Sequence, residues 1–192
     1  MGRVVVCTNL TLDGVMQAPG RPDEDIRDGF PHGGWAAPYA AMASVGDVFG
    51  RAGALLLGRR TYADFASVWP GRTDSPFTPW LNMTPKYVAS RTLEAPLPWV
   101  NSILLEGDVP DAVARLKREL EKDALVMGSG ELVQTLMQHD LVDEFVLLIH
   151  PLVLGSGRRL FTDGGAGATL QLVSSSVAPN GVVAATYRPA AS

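Results

Sequence analysis

The sequence predicts a single-domain α/β protein whose central sheet is mixed but mostly parallel, with helices on both faces and an antiparallel hairpin at its C-terminal edge. Three observations carry that prediction. Short β-rich runs, apolar on both faces, recur through the chain, as strands covered by helices on both sides require. Two amphipathic helical segments alternate with the last three of these runs, and an Asn-Gly turn joins two further strand patterns near the C-terminus.

The expected strands are Arg3–Thr8, Ala54–Leu57, Tyr87–Ala89, Val100–Leu105, Leu125–Met127 and Phe145–His150. Between the fourth and fifth, a helix with Pro110 near its N-terminus places Val113, Leu116 and Leu120 on one face. Between the fifth and sixth, a helix over Glu131–Gln138 turns Leu132, Val133, Leu136 and Met137 inward, and Asp140 and Asp143 begin the turn that follows. This β-α-β-α-β order makes the core parallel. Thr169–Val177 and Val182–Tyr187 flank Pro179-Asn180-Gly181 and form the edge hairpin. Gln17–Tyr39, rich in Gly, Pro and Asp, and Trp69–Pro85, with four prolines and two tryptophans, read as long irregular loops. Loops of that length in a compact domain are usually lids or binding loops. The domain is expected to span residues 1–188, with 189–192 as a tail.

A chain of 192 residues that is 46% hydrophobic can fill one sizeable core. With 19% charged residues and a formal net charge of -4, it has no basic field for nucleic acid or an anionic membrane surface. No apolar run reaches the roughly 18 residues of a membrane span, and no signal-peptide pattern opens the chain. A cytoplasmic protein is therefore expected. The single cysteine, Cys7, lies in an apolar run, and His32, His139 and His150 are widely scattered, so neither a disulfide nor a metal site is expected.

Three strand ends could bind phosphate. In Val126-Met127-Gly128-Ser129-Gly130-Glu131-Leu132-Val133 a buried strand passes through glycines into a helix, whose unpaired first-turn N–H groups and positive dipole end suit an anion. A tight turn alone also accounts for these glycines, and Val133 stands where the dinucleotide fingerprint has its third glycine. In Leu57-Gly58-Arg59-Arg60-Thr61-Tyr62 two guanidiniums and a hydroxyl follow a strand, and in Val88-Ala89-Ser90-Arg91 a hydroxyl and a guanidinium do so. Each arginine can be a solvated surface charge or a bidentate phosphate ligand. Ligands of open parallel sheets sit beyond the carboxyl ends of strands, where all three segments converge. Asn9–Gly14 ends the first strand, and Asp13 there is either a turn residue or a polar group at the cleft.

Taken in order, Thr11-Leu12-Asp13-Gly14, Leu57–Tyr62, Val88–Arg91, Val126–Gly130 and Pro151-Leu152-Val153-Leu154-Gly155-Ser156-Gly157 resemble the dihydrofolate-reductase-like superfamily. The nearest branch is the stand-alone proteins related to the C-terminal reductase domain of the riboflavin-biosynthesis deaminase/reductase. The resemblance covers nearly the whole chain. It implies a mixed sheet of about eight strands and NADPH, while the Gly155–Gly167 region and the edge hairpin point to a homodimer. Arg59, Arg60, Thr61, Ser90 and Arg91 would surround the 2′-phosphate beside Gly58, and Gly128, Ser129, Gly130, Glu131, Leu132 and Val133 would hold the pyrophosphate. The resemblance puts a pterin-reading carboxylate where this chain has Ala40, and commonly Glu before the glycines where it has Met127.

Hydride transfer is the chemistry of the nicotinamide, so the protein must position the ring, exclude water and supply any proton the acceptor needs. Asp13 and Asp64 are the candidate proton-relaying groups. Gln17, His32, Trp35, Tyr39 and Pro151 are candidate contacts to a small heterocyclic substrate, pterin- or pyrimidine-like. The alternative is a nucleotide-binding module of the same fold without turnover.

Overall fold

The computed structural model describes residues 1–39 and 46–190, so Ala40 lies outside the described residues. Its strands are β1 (Val4–Thr11), β2 (Ala52–Gly58), β3 (Lys86–Ala89), β4 (Ser102–Leu104), β5 (Asp123–Met127), β6 (Glu144–His150), β7 (Leu170–Val177) and β8 (Val183–Pro189). The helices are α1 (Gly46–Arg51), α2 (Arg59–Val68), α3 (Thr78–Met83), α4 (Val109–Glu119) and α5 (Gly130–Gln138). All eight strands form one sheet in the order β4-β3-β2-β5-β1-β6-β8-β7. The first six pair in parallel, and β8 runs antiparallel to both β6 and β7.

The runs without polar alternation are explained by two cores, one on each sheet face. Val5, Cys7, Leu55, Leu57 and Leu125 point to one, covered by α1, α2 and α3 through Phe49, Tyr62 and Leu81. Val4, Val6, Leu56 and Val126 point to the other, covered by α4 and α5 through Val113, Val133 and Leu136. Successive strand residues serve opposite cores, so every position must be apolar.

The structure lengthens several expected elements. β1 continues beyond Thr8 to Thr11 because β6 pairs with it as far as His150. The stretch read as a loop over Trp69–Pro85 contains α3, with Pro79 in its first turn where no N–H is needed. β8 carries the sheet through Pro189, and Ala190 N–H bonds to Thr169 O, so the chain described as a tail begins inside the sheet edge. β4, expected from Val100 to Leu105, is only Ser102–Leu104, an edge strand whose Ile103 is exposed. Lys86 at the start of β3 is fully buried and donates to Thr84 O at 2.7 Å and Asn82 O at 3.3 Å, capping the negative end of α3. Its ammonium lies 4.4 Å from the Trp99 ring, and burial lowers its pKa to about 8.

Charge closes the N-terminal edge of the sheet. Buried Glu144 accepts from Arg51 at 2.8 Å, Arg188 at 2.9 Å and Arg3 at 3.2 Å, and Arg3 also grips Asp123. Burial pushes the Glu144 carboxyl up, but hydrogen bonds from Arg51 and Arg188 outweigh it and hold the group below the usual glutamate range. Glu144→Gln should cost on the order of 2–3 kcal/mol in urea unfolding, less than a fully buried pair because the arginines reach solvent. The folded pKa is the lower one, so this stabilisation is present above the unfolded-state value and is lost as pH falls through the folded value. A pH series of unfolding curves should therefore show a steeper acid loss for the wild type than for Glu144→Gln.

Candidate functional site

β1 pairs with β5 only as far as Cys7↔Met127, but with β6 as far as Thr11↔His150. Beyond Cys7, β1 has a strand neighbour on one side only, while the chain leaving β5 turns away into α5. This is the carboxyl end of the strands at the point where strand order reverses, the place where open α/β sheets bind ligands in a crevice.

One hydroxyl ties the two glycine turns at this crevice together. Ser129 Oγ accepts from Gly58 N–H at 2.9 Å and donates to Thr61 Oγ1 at 2.9 Å, so the turn after β5 is pinned to the turn after β2. Ser129 is left-handed, with φ 59 and ψ 49, and follows Gly128 at φ 63. Two successive left-handed residues aim the backbone into α5, and the serine accepts a strain that glycine would avoid. The first bond of the helix is Val133 N–H to Ser129 O at 3.0 Å. The amides of Gly130, Glu131 and Leu132 thus precede the ladder and are the ones able to meet an anion. The side chains of Leu132 and Val133 lie in the core.

On the other side of the tie, Gly58 is extended and supplies no side-chain cap to α2, which leaves the amides of Arg59, Arg60 and Thr61 at a second helix N-terminus. Gly58 pairs with Ala89, so Arg59 and the Ser90-Arg91 turn leave neighbouring strands side by side. Ser90 Oγ accepts from Thr92 N–H at 3.1 Å and Leu93 N–H at 2.9 Å and shapes that turn. Arg59 and Arg91 are exposed, and among the described residues neither has a hydrogen-bond or ion-pair partner. Arg60 reaches Glu131 at 3.3 Å.

The expected substrate and proton-relay residues are spread over the loops that flank the crevice. Gln17 is buried and fully engaged: Nε2 donates to Asp25 O and Arg27 O at 3.1 Å, and Oε1 accepts from Arg158 N–H at 2.9 Å. Its carbonyl accepts from Trp35 Nε1 at 2.7 Å. Trp35 and Tyr39 stand edge-on to His150, with ring centroids 5.2 and 5.1 Å away. His150, the last residue of β6, is completely buried, its Nε2 lies 2.9 Å from Asn9 Oδ1, its Nδ1 has no partner among the described residues, and burial lowers its pKa. His32 and Pro151 are exposed.

Asp13 accepts from Thr11 Oγ1 at 2.6 Å and from the amides of Gly155 at 2.9 Å and Leu154 at 3.2 Å. Donation from Thr11, then from Gly155 and Leu154, holds its carboxyl below the usual aspartate range. Asp64 is paired with both terminal nitrogens of Arg21 and fastens the long loop to α2. Among the described residues no group of His, Cys, Asp and Glu is placed to hold a metal ion, and no helix is long and apolar enough to cross a membrane. Arg27 and Arg158, absent from the sequence reading, approach Glu131 from the two loops at 3.6 and 4.0 Å. Each sits in an irregular segment without periodicity, so nothing in the sequence pointed to them.

Comparison with known proteins places this geometry. The RibD C-terminal domain family matches residues 3–184. YyaP, an uncharacterised protein of Bacillus subtilis (strain 168), is 30% identical over 194 residues, covering 96% of this chain and 94% of YyaP. A putative riboflavin biosynthesis protein from Shewanella sp. PV-4 superposes with a TM-score of 0.70 at 22% identity, covering 100% of each chain. Dihydrofolate reductase from Enterococcus faecalis, solved with NADP(H), superposes with a TM-score of 0.59 at 12% identity, covering 98% of this chain and 96% of that one. At these identities the structural likenesses establish a dihydrofolate-reductase-like fold.

Removing the tie should be measurable. Ser129→Ala leaves Gly58 N–H without its acceptor and should cost about 1–2 kcal/mol in chemical denaturation. Ser129→Gly loses the same bonds but relieves the left-handed strain, so its loss should be smaller by about 1 kcal/mol.

Proposed function

The chain belongs to the RibD C-terminal domain family, and on that premise we propose that it is a cytoplasmic, NADPH-dependent reductase of a small pyrimidine- or pterin-like heterocycle. The observation that carries this reading is the pair of unpartnered guanidiniums, Arg59 and Arg91, on adjacent strand ends beside the free amides of α2. Two planar forks and a helix N-terminus suit a dianionic phosphate monoester, which NADPH has and NADH lacks. The second helix N-terminus, at Gly130–Leu132, fits the pyrophosphate of the same molecule.

NADPH held there would supply a hydride to the bound heterocycle. The chain's own residues orient and shield: Arg59, Thr61 and Arg91 grip the 2′-phosphate, with Ser90 setting the turn that carries Arg91, while Arg60 turns to Glu131 instead. Trp35 and Tyr39 close an apolar wall against the C-terminal end of β6, which keeps water out. The hydrogen bonds of Asp13 and Asp64 suit them to holding loops in place rather than to relaying a proton. That commitment favours one second reading, a nucleotide-binding module without turnover. NADPH oxidation across a panel of pterins and pyrimidines separates the two: binding with no oxidation of any member supports the module.

In titrations of the purified protein, NADPH should bind at least about tenfold more tightly than NADH. Arg59→Ala combined with Arg91→Ala should erase that preference while leaving NADH affinity nearly unchanged; an intact preference would refute the assignment of these arginines.

We also place a second copy of the chain along β7. This edge strand, Leu-Gln-Leu-Val-Ser-Ser-Ser-Val, has no charge and no proline to blunt it, and is exposed along nearly its whole length. Beside it runs a groove of about 740 Å³ in which Val48, Val146, Val173 and Ala184 are joined by the charged Asp47, Arg51, Glu144 and Arg188. Around a two-fold axis each residue meets its own copy, so an uncharged edge pairs without self-repulsion. Light scattering should report a dimer, and Leu172→Glu with Val173→Glu should report a monomer.

A further inference from the structure

Three arginines from three separate elements aim the same atom at one carboxylate oxygen. Arg60 Nη1, from α2, lies 3.3 Å from Glu131 Oε1, Arg27 Nη1, from the long loop, 3.6 Å, and Arg158 Nη1, from the loop after β6, 4.0 Å. The two loop arginines are held from behind. Arg27 gives Nε and Nη2 to Asp25, which leaves it only Nη1, and Arg158 gives Nη2 to Asp28 at 3.0 Å, which leaves its Nη1 facing the cluster. Arg27 Nη1 is buried and makes no hydrogen bond among the described residues. A buried charged donor without an acceptor is costly, and it is the mark of a group awaiting an anion. Glu131 itself is 81% exposed and sits in the first turn of α5, beside the free amides of Gly130 and Leu132. Its carboxylate is a weakly held surface anion at the place where three guanidiniums and a helix dipole converge.

We propose that Arg27, Arg60 and Arg158 form a diphosphate clamp, and that the Glu131 carboxylate is an internal anion that fills it until a diphosphate displaces it. A diphosphate offers oxygens in several directions, so it can accept from all three Nη1 groups and from the α5 amides at once, which one carboxylate oxygen cannot. Glu131 then swings into solvent at little cost, because it is exposed already. The clamp rests on the dinucleotide reading given above, but differs from it in assigning two loop arginines and a competing carboxylate. It also gives the long loop a reason to be anchored: Gln17 bonds to Arg27 O and Arg158 N–H together, holding both loop arginines in register.

The test is calorimetric titration of the full chain with two probes, inorganic pyrophosphate and NADPH. Glu131→Gln removes the competitor and should tighten both by about three- to tenfold, while Arg27→Gln with Arg158→Gln should weaken both by about tenfold or more. Circular dichroism checks that the double variant is folded; if it is not, Glu131→Gln decides alone. Equal affinity of wild type and Glu131→Gln for pyrophosphate, or no pyrophosphate binding by either, overturns the clamp. If NADPH binds wild type and Glu131→Gln equally, the clamp falls and the reductase reading stands. If pyrophosphate follows the expected pattern but NADPH binds none of the proteins, the clamp stands and the NADPH reading falls.

Discussion

The C-terminal edge of the sheet is organised by the hydroxyl of Ser129. β2 and β5 are neighbours in the sheet, but sheet pairing ends with the strands and does not fix the direction of the turns beyond them. Ser129 Oγ fixes them by taking the Gly58 amide and giving its proton to Thr61. For this the serine must be left-handed, a conformation that a residue with a Cβ adopts only when its surroundings over-determine it. The outcome is two helix N-termini, α2 and α5, facing the same crevice at a fixed separation. Each alone is a weak anion site; held together, they match a ligand with phosphates at two places.

The two ends of the sheet handle charge in opposite ways. At the N-terminal edge, Arg3, Arg51 and Arg188 are matched by Glu144 and Asp123, and Lys117 by Asp143. Satisfied in this manner, the buried carboxylates of Glu144 and Asp123 are not left as uncompensated charges, which would be strongly destabilising. At the C-terminal edge Arg59 and Arg91 lack partners among the described residues, and three guanidiniums share one oxygen of Glu131. The chain has a net charge of -4, so this surplus of positive charge is local. Arginine suits the task because its fork stays charged and geometrically defined when partly desolvated.

How much could be read from the sequence follows from range. The strands of the parallel core were legible because burial on both faces demands unbroken apolar runs, as in Ala54–Leu57 and Phe145–His150. The glycine turns were legible because a strand, a glycine and a helix start are contiguous. Features built from distant residues were not. The ends of β1 depend on where β6 and β5 stop pairing, and α3 is short and proline-bearing, with no full period to betray it. Buried Lys86 contradicts its residue type and makes sense only beside the carbonyl end of α3 and Trp99. Gln17 and Asp13 look like site residues by position, yet their partners lie about 140 residues away in sequence, at Arg158 and Gly155, and fasten loops together.

Those fastenings connect the anion side of the crevice to its apolar side. Gln17 holds the carbonyl of Arg27 through its side chain and the indole of Trp35 through its own carbonyl. Trp35 in turn closes over His150, whose unpartnered Nδ1 is sealed from water. Arg27, in the proposed anion clamp, and Trp35, in the aromatic wall, therefore hang on one buried residue, through its side chain and its backbone carbonyl. Under the proposed function, cofactor binding and substrate enclosure share that anchor. A reductase has to exclude water while its cofactor is in place, and a shared anchor is a simple way for one loop to serve both needs.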